Sequence, residues 1–136
     1  MSLSQKDMHH NLKIGVGIES QLIDSDDDFD GEILDVQGFE SLEVAFQTGE
    51  LADGDFDCLL FESDDDGMAG ATEVDAADLI GSAPSFDDSE SNTVKSVGYK
   101  GSKRFVRPRV TSSNTTDGGI VGALALQGSA RNAPVV

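Results

Sequence analysis

From Ser41 to Thr48 the chain alternates without a break: Leu42, Val44 and Phe46 point one way, and Ser41, Glu43, Ala45 and Gln47 the other. A period of two puts successive side chains on opposite faces of an extended strand, so this segment reads as a half-buried antiparallel strand. Leu12–Ile18, Glu32–Val36, Asp57–Glu62, Thr93–Tyr99, Arg104–Thr111 and Ile120–Gln127 are further runs of the same kind, each bounded by Gly, Asp or Ser clusters. Short strands punctuated by turn residues predict an all-β chain, an antiparallel β-sandwich of jelly-roll type. The helical alternative is confined to Glu73–Ile80, which is too short to hold by itself.

At 136 residues the chain is one domain's worth. Within it, Lys100-Gly101-Ser102-Lys103 joins two strand-like runs at hairpin length, which predicts a hairpin over Thr93–Ser112. Pro108 interrupts the second of these strands. Because proline cannot donate to a ladder, the expectation is an edge strand open to another chain. Alternation puts Val106, Pro108 and Val110 on the core face and Phe105, Arg107 and Arg109 outside. The expected core comprises Leu42, Val44, Phe46, Leu60, Val106, Val110 and Leu124. Residues 1–11 read as an N-terminal arm, 12–128 as the sandwich, and 129–136, with Pro134 and two terminal valines, as a C-terminal docking arm.

Charge narrows the function. Twenty-six acids against nine bases give a formal −17, a field that repels nucleic acid and anionic membrane alike. Residues 1–90 hold 25 of the acids and two bases, while residues 91–136 hold one acid and seven bases, so the halves carry −23 and +6. Neither half has enough strands to fold alone, and the economical arrangement pairs basic strands of the second half with acidic strands of the first. Many Asp clusters with few Lys are also the surface habit of proteins from high-salt cells, where screening removes most self-repulsion. The longest apolar run, Ile120–Leu126, is far below the roughly 20 residues of a membrane helix. The first ten residues lack a secretory core and Cys58 is alone, which leads to the expectation of an intracellular origin.

No catalytic constellation assembles, so the chain is read as not an enzyme, with no catalytic, cofactor or metal residues assigned. His9 and His10 lie together in the polar N-terminal segment, more consistent with solvation than with acid-base work. Cys58 lies in the apolar run Cys58-Leu59-Leu60-Phe61 and reads as a small buried hydrophobe. Gly15-Val16-Gly17-Ile18-Glu19-Ser20 has Ser where a dinucleotide fingerprint needs its third Gly. Two segments imitate calcium loops: Asp26, Asp28, Asp30 and Gly31, which lacks the closing Glu at Gln37; and Glu62, Asp64, Asp66 and Gly67, closed by Glu73. Neither has the flanking helices of an EF-hand, and weak cation condensation is the expected behaviour. Lys95, Lys100, Lys103, Arg104, Arg107 and Arg109 with Tyr99 and Phe105 imitate a single-strand-binding stripe, but pairing with the chain's own acids is the stronger expectation.

Several short motifs resemble a family of small virion-associated proteins of tailed phages and prophages: His10-Asn11-Leu12-Lys13, the segment Asp35–Glu43, Asn92-Thr93-Val94-Lys95, the segment Val97–Arg107 and the closing Arg131–Val135. The resemblance runs over nearly the whole chain. Departures are Phe105 in place of Tyr, Pro108 in place of an aliphatic residue, Asn132 in place of His, and more acid in the loops, which fits a virus of a halophilic host. The resemblance implies a non-enzymatic structural protein assembled in the host cytoplasm onto the capsid exterior. Its implied role is a decoration (cement) protein, a homo-oligomer whose partner is the major capsid protein or another virion protein. The alternatives are a neck, tail or turret component, and a calcium-dependent β-sandwich module binding a host surface.

Overall fold

The computed structural model describes residues 8–130, and two antiparallel sheets face each other across an apolar core. In chain order the strands are β1 (Leu12–Ile23), β2 (Asp28–Asp30), β3 (Leu34–Asp35), β4 (Phe39–Leu51), β5 (Asp55–Ser63), β6 (Thr72–Glu73), β7 (Leu79–Ile80), β8 (Ser85–Asp87), β9 (Val94–Tyr99), β10 (Phe105–Ser113) and β11 (Gly119–Ala130). Sheet A runs β1-β11-β4-β9-β7; sheet B runs β2-β10-β5-β6, with β3 also on β10 and β8 also on β5. The fold is the expected β-sandwich. In place of a helix at Glu73–Ile80 there is one 3-10 turn, Ala76–Asp78, between the two-residue strands β6 and β7. β11 continues through Ala130, past the expected domain limit at 128; the rest of the proposed docking arm, 131–136, and residues 1–7 of the N-terminal arm lie outside the described residues.

Alternation builds the core as expected at most positions. Val44, Phe46, Val106 and Val110 are fully buried, and Leu42 and Leu60 nearly so. Cys58 is buried too, and burial pushes its thiol pKa well up, which suits a packing residue and not a nucleophile. Leu124 is the exception. It is 46% exposed, because β11 turns Val121, Ala123 and Ala125 inward and Ile120 and Leu124 outward.

The expected Thr93–Ser112 hairpin does not form: β9 pairs with β4 and β7 in sheet A, whereas β10 pairs with β5, β2 and β3 in sheet B. The connection is an arch between sheets, and Tyr99 props it. Its hydroxyl donates to Glu62 Oε1 at 2.8 Å and accepts the Lys103 N–H at 3.0 Å. A side chain on Gly101 would come within 2.6 Å of that hydroxyl, so the loop passes directly over the ring. A tyrosine filling the turn's interior replaces the cross-strand pairing that a tight hairpin needs.

β10 is also not an edge; it lies between β2 and β5, with Pro108 buried and opposite Leu60. The missing donor is accommodated where the other neighbour breaks. Extending the Arg109–Asp30 register by one residue sets Pro108 opposite Gly31, and the Gly31 N–H donates to Pro108 O at 2.8 Å. The return bond, which proline cannot make, comes from Arg107 Nε to Gly31 O at 2.8 Å. At the same junction the Glu32 N–H donates to Gly17 O at 2.7 Å, joining the β2–β3 connection to β1. Only glycine fits at 31, since a Cβ there would lie 2.1 Å from Gly17 O.

Candidate interaction face

The outward residues of the two sheets have opposite chemistry. On sheet B the bases of the second half meet acids of the first, as the charge split implied. Arg104 grips Asp35 bidentately, Nε–Oδ1 3.0 Å and Nη2–Oδ2 2.8 Å. That bond holds the Asp35 carboxyl below the usual range despite partial burial. Arg109 Nε donates to Asp30 Oδ1 at 2.6 Å, its Nη1 lies 3.8 Å from Asp28, and its guanidinium sits 4.2 Å over the Phe61 ring. Lys103 reaches Asp64 at 3.1 Å. At the end of sheet A, Lys95 bridges to Glu90 and covers Phe86 from 5.1 Å. Arg104, Arg107 and Arg109 are thus paired within the chain, as expected for these bases, and leave no free basic edge on β10 for a partner, because intramolecular carboxylates and Gly31 O already occupy them.

The acidic loops are likewise committed to local partners. Asp26 accepts from Thr115 N and Oγ1, and Asp28 from Thr111 Oγ1. Asp53 accepts the N–H groups of Thr116, Asp117 and Gly118, which lowers its pKa. In the second calcium-like segment, Asp64 faces Lys103, Asp65 accepts from Gly67 and Ala69, and Glu62 accepts from Tyr99. Among the described residues no three His, Cys, Asp or Glu side chains converge on a metal position. His9 and His10 meet edge to face, 5.1 Å between ring centroids. Among the described residues no helix is long and apolar enough to cross a membrane.

Sheet A presents the reverse. Of the eight exposed large hydrophobics among the described residues, all but Met8 lie on its outward positions: Ile14, Val16, Leu22, Ile80, Val94, Ile120 and Leu124. Strand register gathers them into rows. Ile14 stands beside Leu126, Val16 beside Leu124 and then Ala45, and Leu22 beside Ile120. Two carboxylates belong to this face: Glu43, between Leu126 and Gly98, and Glu19, on the β1 bulge. The middle of the face is hollow. Ser20 of β1 and Ile120 fill the space directly over Gly122 and Gly49, which have no side chains, and beside them a depression of about 370 Å³ opens between Val16, Glu19, Ser20, Gln47, Ile120 and Leu124. β1 bulges between Val16 and Gln21, and its Ser20 backbone presses so closely that a Cβ on Gly122 would lie 2.9 Å from Ser20 Cα. Composition could have signalled this face: β11 is apolar at every position from Ile120 to Leu126, more than one buried face requires.

No family model matches the chain, and no curated protein matches it in sequence. In fold it is similar to the PBSX exported protein XepA, with a TM-score of 0.60 and 12% identity over 91% of this chain, which spans 39% of XepA. The SPBc2 prophage-derived protein YomS follows at TM-score 0.49 and 13% identity, over 86% of this chain and 92% of that one. The CBM22-1 xylan-binding domain of Paenibacillus barcinonensis Xyn10C is at 0.46 and 11%, over 88% and 82%. At these identities the likeness is one of fold, and the chain is a β-sandwich of the architecture that XepA contains.

Proposed function

We propose that this chain is a non-enzymatic virion structural protein, a decoration of the head shell that works through protein contacts. The observation that carries the reading is the outer face of sheet A: seven exposed large hydrophobics on one surface of a chain with formal charge −17. Soluble monomers rarely leave a continuous apolar surface of this kind in water, and such patches mark contact sites. The motif resemblance to tailed-phage and prophage virion proteins sets the context, and the fold shared with the PBSX exported protein XepA agrees with it. In this reading the terminal segments 1–11 and 131–136 reach the major capsid protein, and symmetry multiplies many modest contacts over the shell.

Copy number tests the proposal. Purified particles should contain on the order of hundreds of copies, as lattice symmetry demands of a decoration protein. A handful of copies would move the chain to the neck or tail, and none would end the virion reading. Deletion of residues 131–136, which leaves β11 whole, should abolish incorporation; full incorporation without them would remove the C-terminal arm from the shell contact.

A further inference from the structure

We infer that the outer face of sheet A is the contact between two copies of this chain, so that the decoration unit is a dimer packed sheet on sheet. The inference rests on the structural reading above and names the partner of that face. Three features favour a second copy.

The first is relief. Along β11 the outward positions read Ile120, Gly122, Leu124, a knob, a hollow and a knob. A two-fold axis lying in the interface and crossing β11 at Ala123 sets Leu124 of each copy over the depression beside Gly122 and Ser20 of the other. The depression of about 370 Å³ has room for a leucine side chain. Isologous contacts require a surface to be its own complement, and this alternation meets that requirement.

The second is charge. The same axis carries Glu43, in the Leu126 row, toward the Gly49 end of the partner face, and Glu19, beside Gly122 on the edge strand β1, toward the partner's Val16, so neither carboxylate meets its own symmetry mate. The charged groups of sheet B and of the acidic loops point elsewhere. The third is size: the strands of sheet A, from 13 residues in β4 down to two in β7, cover roughly 700 Å² at about 4.8 Å between strands and 3.3 Å per residue, close to the roughly 800 Å² each partner gives to a standard stable interface. The fold already shows how such a face is covered, since the inner face of sheet A is closed by another sheet.

The test is sedimentation equilibrium of the full chain at roughly 0.1 M and roughly 2 M KCl, concentrations at which screening differs several-fold in range. Dimerisation through an apolar face between two polyanions should be about tenfold tighter or more at the higher salt. Leu124→Lys should be monomeric at both salts with an unchanged circular dichroism spectrum, because Leu124 is exposed and its loss leaves the core intact. Leu124→Met should remain dimeric. A wild-type chain that stays monomeric at about 100 μM in high salt overturns the inference, as does a dimer indifferent to Leu124→Lys. If the free chain is monomeric but Leu124→Lys is lost from particles, another virion protein covers the face; the dimer is then wrong while the virion role stands. A dimer broken by Leu124→Lys in a chain absent from particles supports the contact and defeats the virion role.

Discussion

Replacing Arg107 by Met tests whether an arginine substitutes for the N–H that Pro108 lacks. In the wild type, Gly31 O accepts from Arg107 Nε at 2.8 Å in the middle of sheet B. Methionine keeps most of the aliphatic stem and removes the donor. Hydrogen bonds from charged donors are worth about 1.5–3 kcal/mol, and a carbonyl left without a partner costs about 1–3 kcal/mol. Arg107 is only half-buried, which admits some water, so a loss of about 2 kcal/mol is expected. For a domain of this length that is a fall in Tm of roughly 6–8 °C. Pro108→Val should supply a backbone N–H at the same place, and Arg107→Met in that background should cost under about 1 kcal/mol. Urea unfolding of the four proteins yields the coupling directly, and Pro108→Val is its own reference for any change in packing. Equal costs of Arg107→Met in both backgrounds would refute the substitution of one donor for the other.

Other outcomes follow from the same geometry. Phe46 is fully buried, so Phe46→Ala should cost about 3–5 kcal/mol, measured by denaturant unfolding. Hydrogen bonds to Arg104 and to three backbone N–H groups hold Asp35 and Asp53 below the usual carboxylate range, as Lys103 does for Asp64. A depressed folded pKa contributes stability above the unfolded value of about 4 that is lost as pH falls through the folded one. Thermal melts should therefore decline below about pH 4, and Asp53→Asn should flatten that decline while lowering Tm at neutral pH. Raising KCl from roughly 0.1 to 2 M should raise Tm, because the bridges on sheet B are partly exposed and weak while the uncompensated −17 repels itself. A flat or falling Tm would remove the charge argument. Micromolar Ca²⁺ alone should leave Tm unchanged; a rise of several degrees would restore the Glu62–Glu73 loop as a site.

The sandwich was legible because alternation in β4 and β10 is strict, and because Gly, Asp and Ser mark the strand ends. Periodicity failed at β11, where both faces are apolar from Ile120 to Leu126 and a shift of one residue exchanges them. The larger side chain suggested that Leu124 pointed inward, whereas the core there takes Val121, Ala123 and Ala125. The face that carries the functional reading was hidden by the same ambiguity. The arch at Lys100–Arg104 failed for another reason. A four-residue polar connection is compatible with a hairpin or a sheet-to-sheet crossing, and the tyrosine beneath it decides between them through partners 37 residues away and 4 residues away. Pro108 misled because a local rule about missing donors takes no account of an arginine side chain that can supply one.

The division of charge has a consequence for how such a protein can be held in an assembly. Every base described on sheet B is committed to an acid or a carbonyl of its own chain, as Arg104 is to Asp35 and Arg107 to Gly31. A partner that sought those bases would have to break internal bridges to reach them, and would gain little, because exposed ion pairs are worth about 0–1 kcal/mol. At about 1 M salt the screening length falls to about 3 Å, and such contacts weaken further. Burial of Ile14, Val16, Ile120 and Leu124 is not screened, at about 25 cal/mol for each Å² removed from water. On the proposed reading, a chain that pairs its bases inside the fold and leaves its aliphatic residues on one sheet would assemble by a force that concentrated salt does not diminish. Its acidic remainder meanwhile keeps the rest of the surface from adhering to itself.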